Sequence, residues 1–257
     1  MMMDATIKPV GYVRSKVKER KDMGLGGVPA VVEVLPRYAL AMRGLTEQSH
    51  VWIIGWLHRA DRGVLRARPR KISSSLRERG VFAMRSPDRP NPLALSCARL
   101  LKVRGRRLYL AALDMIDGTP VADIKSYSPG IDSVPGAAQP DFSAKYALLS
   151  DENLARTLLR LLQNHFPALK PGHVKGGALV FKYIRETGRA PWASAGVLES
   201  TGGNDCAQAV EALFGFGAHC RPVTGKSLRL SVKRRGKVAG VSCSAGEVRS
   251  FAKLAGR

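Results

Sequence analysis

Short runs of alternating apolar and polar residues dominate the first half of the chain. They are KPVGYVRS (8–15), VVEVLP (31–36), HVWIIGWLH (50–58), VFAMRS (81–86), LALSCARLLKVRG (93–105), RRLYLAALDMI (106–116) and ADIKSYSP (122–129). Glycine, proline and Asp-Gly separate most of these runs at spacings of about ten residues, which is typical of strands in a barrel or sandwich. The basic stretches 16–27 and 62–79 are predicted to be loops, and a short helix or turn is predicted near Arg43.

The pattern changes near Pro135. ENLARTLLRLLQNHF (152–166) has apolar residues at helical spacing, and further helices are predicted at 176–188, 205–216 and 246–256. Strands are predicted at 227–234 and 237–244, and VPGAAQP (134–140) resembles a linker. We therefore predict a mainly β N-terminal barrel in residues 1–146, followed by a smaller α+β domain in residues 147–257.

Basic side chains outnumber acidic ones in both halves. The 42 lysines and arginines and 20 aspartates and glutamates give a net charge of +22. Each phosphate neutralised by Lys or Arg releases counterions, so this excess predicts a nucleic-acid partner, the alternative being a solvated basic surface. Four scattered cysteines without a Cys-x-x-Cys pair predict a cytoplasmic protein with neither disulfides nor a zinc ribbon. No apolar run is long enough to cross a bilayer, so no membrane association is predicted.

The stretch from Gly80 to Pro129 carries most of the candidate chemistry. In RSPDRPNP (85–92), three prolines restrict the backbone and remove hydrogen-bond donors. This segment is therefore predicted to be a stiff loop that presents Arg85 and Arg89 in a set geometry. Arginine binds carboxylates and phosphates through two hydrogen bonds at once. Taken alone, the segment also fits an ordinary surface turn.

A second rigid turn and a strand follow this loop. The turn is predicted at Asp117, Gly118, Thr119 and Pro120, where it carries a carboxylate and a hydroxyl. Asp123, Lys125 and Tyr127 alternate, and therefore share one face of the predicted strand. Taken alone, the turn also fits a simple hairpin.

Together these segments resemble the signature of the TrmO (TsaA/YaeB-like) family of tRNA methyltransferases, G-V-F-A-T-R-S-P-x-R-P-N-P-I-G-L-S followed by D-x-x-D-G-T-P-x-x-D-I-K-P-Y. KPVGYVRS, VPAVVEVLPRYA (28–39) and GLTEQSHVWIIGWLHR (44–59) extend the resemblance over about residues 8–130. It implies a small non-Rossmann β-barrel that binds S-adenosylmethionine, usually as a homodimer with the cofactor near the interface of the two copies. It also implies N6-methylation of N6-threonylcarbamoyladenosine, the modified base just 3′ of the anticodon.

The resemblance also implies where the cofactor binds. The implied contacts are a loop at Pro29, Ala30 and Val31, then His58, Arg59, Arg85 and Leu95, and the turn Asp117, Gly118, Thr119 and Pro120. Arg85 would clamp the methionine carboxylate, Asp117 would accept from the ammonium or ribose hydroxyls, and Leu95 would cover the adenine. For His58, a packed core histidine is the alternative. The family has Pro-Arg-Gln where this chain has Pro-Ala-Val, so an arginine and an amide are missing.

The target nitrogen lies between an adenine ring and a urea-type carbonyl, so a strong base is not required. Asp114, Asp117, Asp123 and Tyr127 are candidates for that base. Lys125 or Arg89 is predicted to pair with the threonyl carboxylate. The basic runs 62–71 and 102–107 are predicted to hold phosphates of the anticodon loop. The predicted substrate contacts are Arg89, Asn91, Arg68, Arg70, Lys71 and Arg106.

The second half faintly resembles the FmdE domain of formylmethanofuran dehydrogenase. In that domain, an early cysteine and later cysteines bear metal, but here the early position is Lys170. A metal site needs about four ligands, so none is predicted. Two other interpretations of the whole chain remain open: a methyltransferase of the same fold with another RNA or small-molecule substrate, and a non-catalytic tRNA-binding protein.

Overall fold

The computed structural model describes residues 6–68, 76–132, 144–188, 197–214, 220–225, 227–234 and 237–256. The chain divides into two compact units. One contains residues up to 69 and 77–129, and the other contains 70–76 and 130–257. The extents 1–146 and 147–257 of the two functional domains stay a prediction. The predicted linker at 134–140 lies outside the described residues.

A closed six-stranded barrel forms the first unit. The strands of this unit are β1 (Gly11–Ser15), β2 (Val28–Val34), β3 (His50–Trp56), β4 (Arg66–Ala67), β5 (Arg79–Gly80), β6 (Leu93–Arg104), β7 (Arg107–Leu113) and β8 (Pro120–Ser126). In the barrel they pair in the order β1-β2-β7-β6-β3-β8, and β8 closes onto β1, while β4 and β5 form a separate two-stranded ribbon. Short 3-10 helices occupy Arg20–Asp22, Pro36–Met42, Leu45–Glu47 and Val81–Ala83. The predicted β-barrel is confirmed.

Alternation along the strands places one set of side chains inside the barrel. In β3, Val51 and Ile53 are fully buried, whereas Trp52 between them is partly exposed. Val13, Val32 and Leu108 reach the same core from other strands. Each such side chain contributes about 1.5–3 kcal/mol when it is fully buried. The outward-facing side chains of the strands remain available for other contacts.

The barrel has two rims that carry different connections. Every barrel strand is antiparallel to both neighbours, so the chain reverses direction at each connection. The described residues of connections 16–27, 57–92 and 114–119 therefore meet at one end, which we call the loop rim; residues 69–75 lie outside the described part of the chain. Connections 35–49 and 105–106 meet at the other end, which we call the hairpin rim. The seven residues of β3 separate the two rims by about 20 Å along the strand, at ~3.3 Å per residue.

The second unit combines a four-stranded sheet with helices. Its strands are β9 (Val197–Ser200), β10 (Cys220–Pro222), β11 (Leu228–Arg234) and β12 (Lys237–Cys243), in the order β10-β9-β11-β12. The helices after the barrel are α1 (Pro129–Asp132), α2 (Ala144–Ala147), α3 (Asp151–His165), α4 (Pro171–Thr187), α5 (Asn204–Phe214) and α6 (Ala245–Leu254). Helix α4 packs against α3, α5 and α6 and against β11 and β12. The predicted α+β architecture is confirmed, and Ser244 and Glu247 form a capping box at the start of α6.

Two local predictions were wrong. The run VFAMRS is not a strand, because Val81–Ala83 form a 3-10 helix in which Val81 is buried and Phe82 is exposed. The segment Pro29, Ala30 and Val31 is not a loop but lies within β2. The pairing of β2 with β7 shifts register between Val28 and Ala30, and such an irregularity accommodates a proline that lacks a backbone donor.

Candidate functional site

Hydrogen bonds between backbones and side chains tie the three connections of the loop rim together. The Leu57 amide donates to the Pro92 carbonyl at 2.8 Å, and the Asp117 amide donates to the Val17 carbonyl at 2.8 Å. Arg20 Nη2 in the first connection donates to Asp88 Oδ2 in the third at 2.6 Å. The stiff loop 85–92 and the turn at 117–120, which are far apart in sequence, therefore lie at the same end of the barrel.

The proline-rich loop presents its two arginines beside apolar side chains. Arg85 Nη1 donates to the Leu95 carbonyl at 3.4 Å, and the Leu95 side chain is 46% exposed. Arg89 Nη1 donates to the Met84 carbonyl at 3.3 Å, and its guanidinium lies 5.9 Å from the ring centroid of Phe82, which is 80% exposed. A guanidinium next to exposed apolar surface suits a ligand with an anionic group and a flat, weakly polar part.

The turn after β7 is held rigidly by its own hydrogen bonds. Asp117 Oδ1 accepts from the Ser15 amide at 3.0 Å. Gly118 adopts a φ of 75°, and its amide donates to the Val13 carbonyl at 2.8 Å. Thr119 is fully buried, and its hydroxyl donates to the Ile116 carbonyl at 2.8 Å. The Thr119 side chain thus stabilises the turn, and Pro120 begins β8 directly after it.

Asp114 lies in the same connection, immediately after β7. Its carboxylate accepts a short hydrogen bond from Ser96 Oγ on β6. The Asp114 side chain is exposed, so one face of the carboxylate is open to a ligand while Ser96 limits its rotation. Among the four candidate bases, Asp114 and Asp117 are the two that the fold places at the loop rim.

The remaining implied cofactor contacts differ in their surroundings. Ala30 is only 6% exposed, and its side chain belongs to the barrel core. His58 is exposed just after β3, and the partial desolvation of its imidazole, followed by the charge of Arg59, lowers its pKa. A lowered pKa favours the neutral ring at physiological pH. Arg59 Nη1 lies 2.8 Å from Glu19 Oε1, which joins the third connection to the first.

The outer face of β6, β3 and β8 carries a second group of predicted residues. Leu95 pairs with Ile54, and Ile54 pairs with Asp123, so these three form one row across the strands. Lys125 Nζ lies 2.7 Å from Asp123 Oδ2, and this hydrogen bond raises the pKa of Lys125. Leu95 therefore links the Arg85 loop to the row that ends at Asp123.

Tyr127 lies at the other end of β8. Its ring centroid is 5.8 Å from that of Trp52 and 6.1 Å from that of His50. Seven residues separate Tyr127 from Pro120, which is about 20 Å along a strand. The fold therefore does not bring Tyr127 to the loop rim.

The predicted RNA contacts are distributed over both rims. Asn91 and Arg68 are exposed in the third connection, at the loop rim. Arg106 lies at the hairpin rim, where its Nη1 donates to the Val34 carbonyl at 2.6 Å. Arg70 and Lys71 lie outside the described residues. Residues 62–68, the described part of the first basic run, and the run 102–107 thus belong to opposite ends of the barrel.

The second unit gives no metal site among the residues described. Within those residues, no group of three or more His, Cys, Asp and Glu side chains is placed to hold a metal ion. At the position of the early metal-bearing cysteine, Lys170 Nζ forms an ion pair with Asp205 Oδ1 at 2.9 Å. The resemblance to the FmdE domain remains a prediction. In the described parts of the chain, no helix has both the length and the apolar character that crossing a bilayer requires.

Sequence reasoning missed several residues of the loop rim. Arg20 and Glu19 lie in a stretch that was predicted only as a basic loop, yet both form ion pairs with other connections of the rim. Asp88 occupies the position that the family signature leaves variable. Ser96 carried one signal, the final serine of the signature, but its partner Asp114 is evident only from the pairing of β6 with β7.

Three comparisons relate this barrel to known proteins. Residues 13–133 match the model of the tRNA-methyltransferase O N-terminal domain. A Methanothermobacter thermautotrophicus protein, named "Probable S-adenosyl-L-methionine-binding protein", is 42% identical over 136 residues, which are 51% of this chain and 96% of that protein. The Escherichia coli (strain K12) "tRNA (adenine(37)-N6)-methyltransferase" is 34% identical over 185 residues, which are 65% of this chain and 78% of that protein. A crystal structure of TrmO from Pseudomonas aeruginosa aligns with a TM-score of 0.43 and 34% identity, over 55% of this chain and 66% of that one.

Proposed function

The chain belongs to the TrmO family of S-adenosylmethionine-dependent tRNA methyltransferases, and from this premise we propose that it methylates N6 of N6-threonylcarbamoyladenosine in the tRNA anticodon loop. The position of Arg85 carries this proposal. Its guanidinium lies beside the exposed Leu95, at the rim that also holds the carboxylates of Asp114 and Asp117. One end of the barrel thus offers groups for a zwitterionic cofactor and for a nearby base.

The residues at the loop rim fit the chemistry of the cofactor. The Arg85 guanidinium suits a carboxylate, and exposed Leu95 suits an adenine ring. The Asp117 carboxylate, already fixed by the Ser15 amide, suits an ammonium or a pair of ribose hydroxyls. When bound, S-adenosylmethionine supplies an electrophilic methyl group.

We assign the general base to Asp114. The chain has to orient N6 of the substrate and accept its proton, and Asp114 has an exposed carboxylate that Ser96 holds in one orientation. Replacing Asp114 by Asn should lower kcat by about 10²–10⁴-fold, the range of general-base contributions, with little change in cofactor affinity. The matched control is Glu33→Gln, a paired carboxylate on the barrel away from the loop rim. Equal losses in both variants would contradict the assignment.

Methyl transfer by the purified chain tests the substrate. The assay uses radiolabelled S-adenosylmethionine and two threonine tRNA transcripts, with and without the threonylcarbamoyl group. We expect label only in the modified transcript, on N6 of the modified base, as determined by mass spectrometry of the nucleosides. Label in both transcripts would indicate another RNA base. Cofactor binding without transfer to either transcript would indicate a tRNA-binding protein.

The threonyl carboxylate distinguishes the modified base from plain adenosine, so a side chain that binds it would select the substrate. We propose that Lys125 or Arg89 pairs with it, since both side chains carry positive charge within the outer face and the adjoining loop. Lys125→Met and Arg89→Met are each assayed on the modified and unmodified transcripts. The residue that binds the carboxylate should lose discrimination between the two. A loss of equal size on both transcripts would assign that residue to general RNA binding instead.

We further propose that phosphates are contacted at both rims, by Arg68 at one and by Arg106 at the other, and also by Arg70 and Lys71, which lie outside the described residues. The net charge of +22 supports this proposal, and rims about 20 Å apart along a strand suit an RNA stem that extends beyond its loop. The dependence of the tRNA Kd on salt measures it. Arg106→Ala should reduce the slope of log Kd against log salt by close to one unit, and an unchanged slope would remove Arg106 from the interface.

A homodimer and a cytoplasmic location complete the proposal. Leu93, Leu95 and Leu101 are 39%, 46% and 53% exposed along β6, and exposed leucines of this kind suit burial by a second copy. Leu101→Glu should convert the dimer to a monomer in light scattering, and a wild-type chain that is already monomeric would refute the dimer. The four cysteines all lie in the described residues and form no disulfide, which agrees with a reducing compartment.

A further inference from the structure

Asp88 joins three segments of the loop rim through its two carboxylate oxygens. Oδ2 lies 2.6 Å from Arg20 Nη2 in the first connection. Oδ1 accepts from the Asp61 amide at 2.8 Å, in the residues that follow β3. Asp88 itself sits between Arg85 and Arg89 in the proline-rich loop. One side chain thus fastens that loop to both neighbouring segments.

Arg20 extends the same network to the residues after β3. Its Nη1 donates to the Arg59 carbonyl at 2.8 Å, while its Nη2 contacts Asp88. Arg59 in turn donates to the Lys18 carbonyl at 3.3 Å and pairs with Glu19. These contacts link the first connection to the third at several points. We call the linked residues Glu19, Arg20, Arg59, Asp61 and Asp88 the Asp88 clasp. Asp88 and Arg20 are 28% and 40% exposed.

The electrostatics of the clasp favour the ionised carboxylate. Burial acts to raise the pKa of Asp88, but hydrogen bonds from Arg20 and the Asp61 amide leave that pKa below its ordinary value. The carboxylate therefore stays charged and paired at neutral pH. Without Arg20, the same negative charge would lie next to the arginines that are proposed to bind a carboxylate and an RNA.

We propose that Asp88 is a positioning residue, which through Arg20 and the Asp61 amide holds the proline-rich loop so that Arg85 and Arg89 face their ligands. This inference rests on the proposed function, because it assigns the loop to cofactor and substrate binding. Asp88 itself touches neither the cofactor nor the RNA.

Cofactor affinity and hydrogen exchange test the clasp together. S-adenosylmethionine binding is measured by calorimetry for wild type, Asp88→Asn, Arg20→Gln and the double variant. Each single change should weaken binding roughly two- to fivefold, the range for a partly exposed ion pair. The double variant should be no weaker than either single one, because both remove the same contact. Amides of residues 57–62 should exchange faster in all three variants.

Glu33→Gln is the matched control. Glu33 is an equally buried carboxylate on the barrel, and it pairs with Arg14 at 3.1 Å and Arg107 at 3.2 Å away from the loop rim. Its loss should leave cofactor binding and the 57–62 exchange unchanged. Wild-type affinity in Asp88→Asn, or weakened binding without faster exchange, would overturn the positioning role. If wild type fails to bind S-adenosylmethionine, the proposed function fails, and unchanged exchange in the variants would then separately reject the clasp.

Discussion

Replacing Gly27 by alanine tests how closely the entry to β2 packs against the end of β7. Gly27 has a φ of 79°, and its amide donates to the Gly24 carbonyl at 3.2 Å. A Cβ at this position would contact the Leu113 carbonyl carbon and lie 2.7 Å from both the Leu113 oxygen and the Asp114 nitrogen. All of these are backbone atoms of the residues that lead into the loop rim, so they cannot rotate away.

Two separate costs add for this substitution. A left-handed backbone conformation costs an alanine about 1–2 kcal/mol. Overpacking against atoms that cannot move adds about 1–3 kcal/mol, so we expect Gly27→Ala to lower the free energy of unfolding by about 2–5 kcal/mol. Gly44→Ala separates the two costs. Gly44 has a similar φ of 83°, and no atom of the described residues lies within 4 Å of its Cβ position, so only the first cost applies.

Urea unfolding followed by tryptophan fluorescence reports on the barrel, because Trp52 and Trp56 are two of the three tryptophans of the chain. The difference between the two alanine variants should be about 1–3 kcal/mol, and it measures the close approach of β2 to β7. Because that approach fixes the residue after Leu113, Gly27→Ala should also reduce kcat more than Gly44→Ala does. Equal destabilisation by the two variants, within about 0.5 kcal/mol, would refute the reasoning.

Three further predictions concern single groups. Ser96→Ala removes the hydrogen-bond donor to the Asp114 carboxylate at the loop rim. The kcat should therefore fall roughly tenfold while the Kd of the cofactor stays unchanged. A change in the Kd alone would contradict this prediction. The hydrogen bond from Lys182 lowers the pKa of Glu247 to about 2, so Glu247→Gln should destabilise α6 at neutral pH. Hydrogen exchange of the α6 amides measures this, and the difference between the variant and wild type should vanish as the pH falls towards 2. Burial raises the pKa of Cys220 to about 12, so alkylation at pH 8 should modify the partly exposed Cys97 first. Mass spectrometry measures the order of modification, and earlier modification of Cys220 would contradict its burial.

The pattern of apolar residues predicted most of the barrel because its strands are half-buried. In β3, residues 50–56 alternate between core and surface, and this is the period that a strand imposes. The pattern failed where a few residues pack without regular periodicity. Val81 and Phe82 are both apolar, yet one is buried and the other exposed within a single helical turn. Strands β9 and β10 were not predicted, since four and three residues are too few for a period to emerge.

The candidate site was predictable as chemistry but not as geometry. Arg85 and Asp117 stood out because proline and glycine fix the backbone around them. The hydrogen-bond partners of these two side chains were not evident from the sequence. Asp117 accepts from the Ser15 amide, and Arg85 donates to the Leu95 carbonyl. The contacts of Asp88 join residues that are 27 and 68 positions away, and no local pattern encodes such pairs.

One topological fact does connect the sequence to the site. Because each barrel strand reverses the direction of the one before it, connections that are two strands apart along the chain share a rim. The first, third and fifth connections carry Arg20, the proline-rich loop and the Asp-Gly-Thr-Pro turn, respectively, whereas Arg106 lies in the fourth. Counting strands therefore separates the residues that can act on one ligand from those that can only hold a distant part of the RNA. It also explains why a carboxylate at position 88 can reach the first connection without crossing the core.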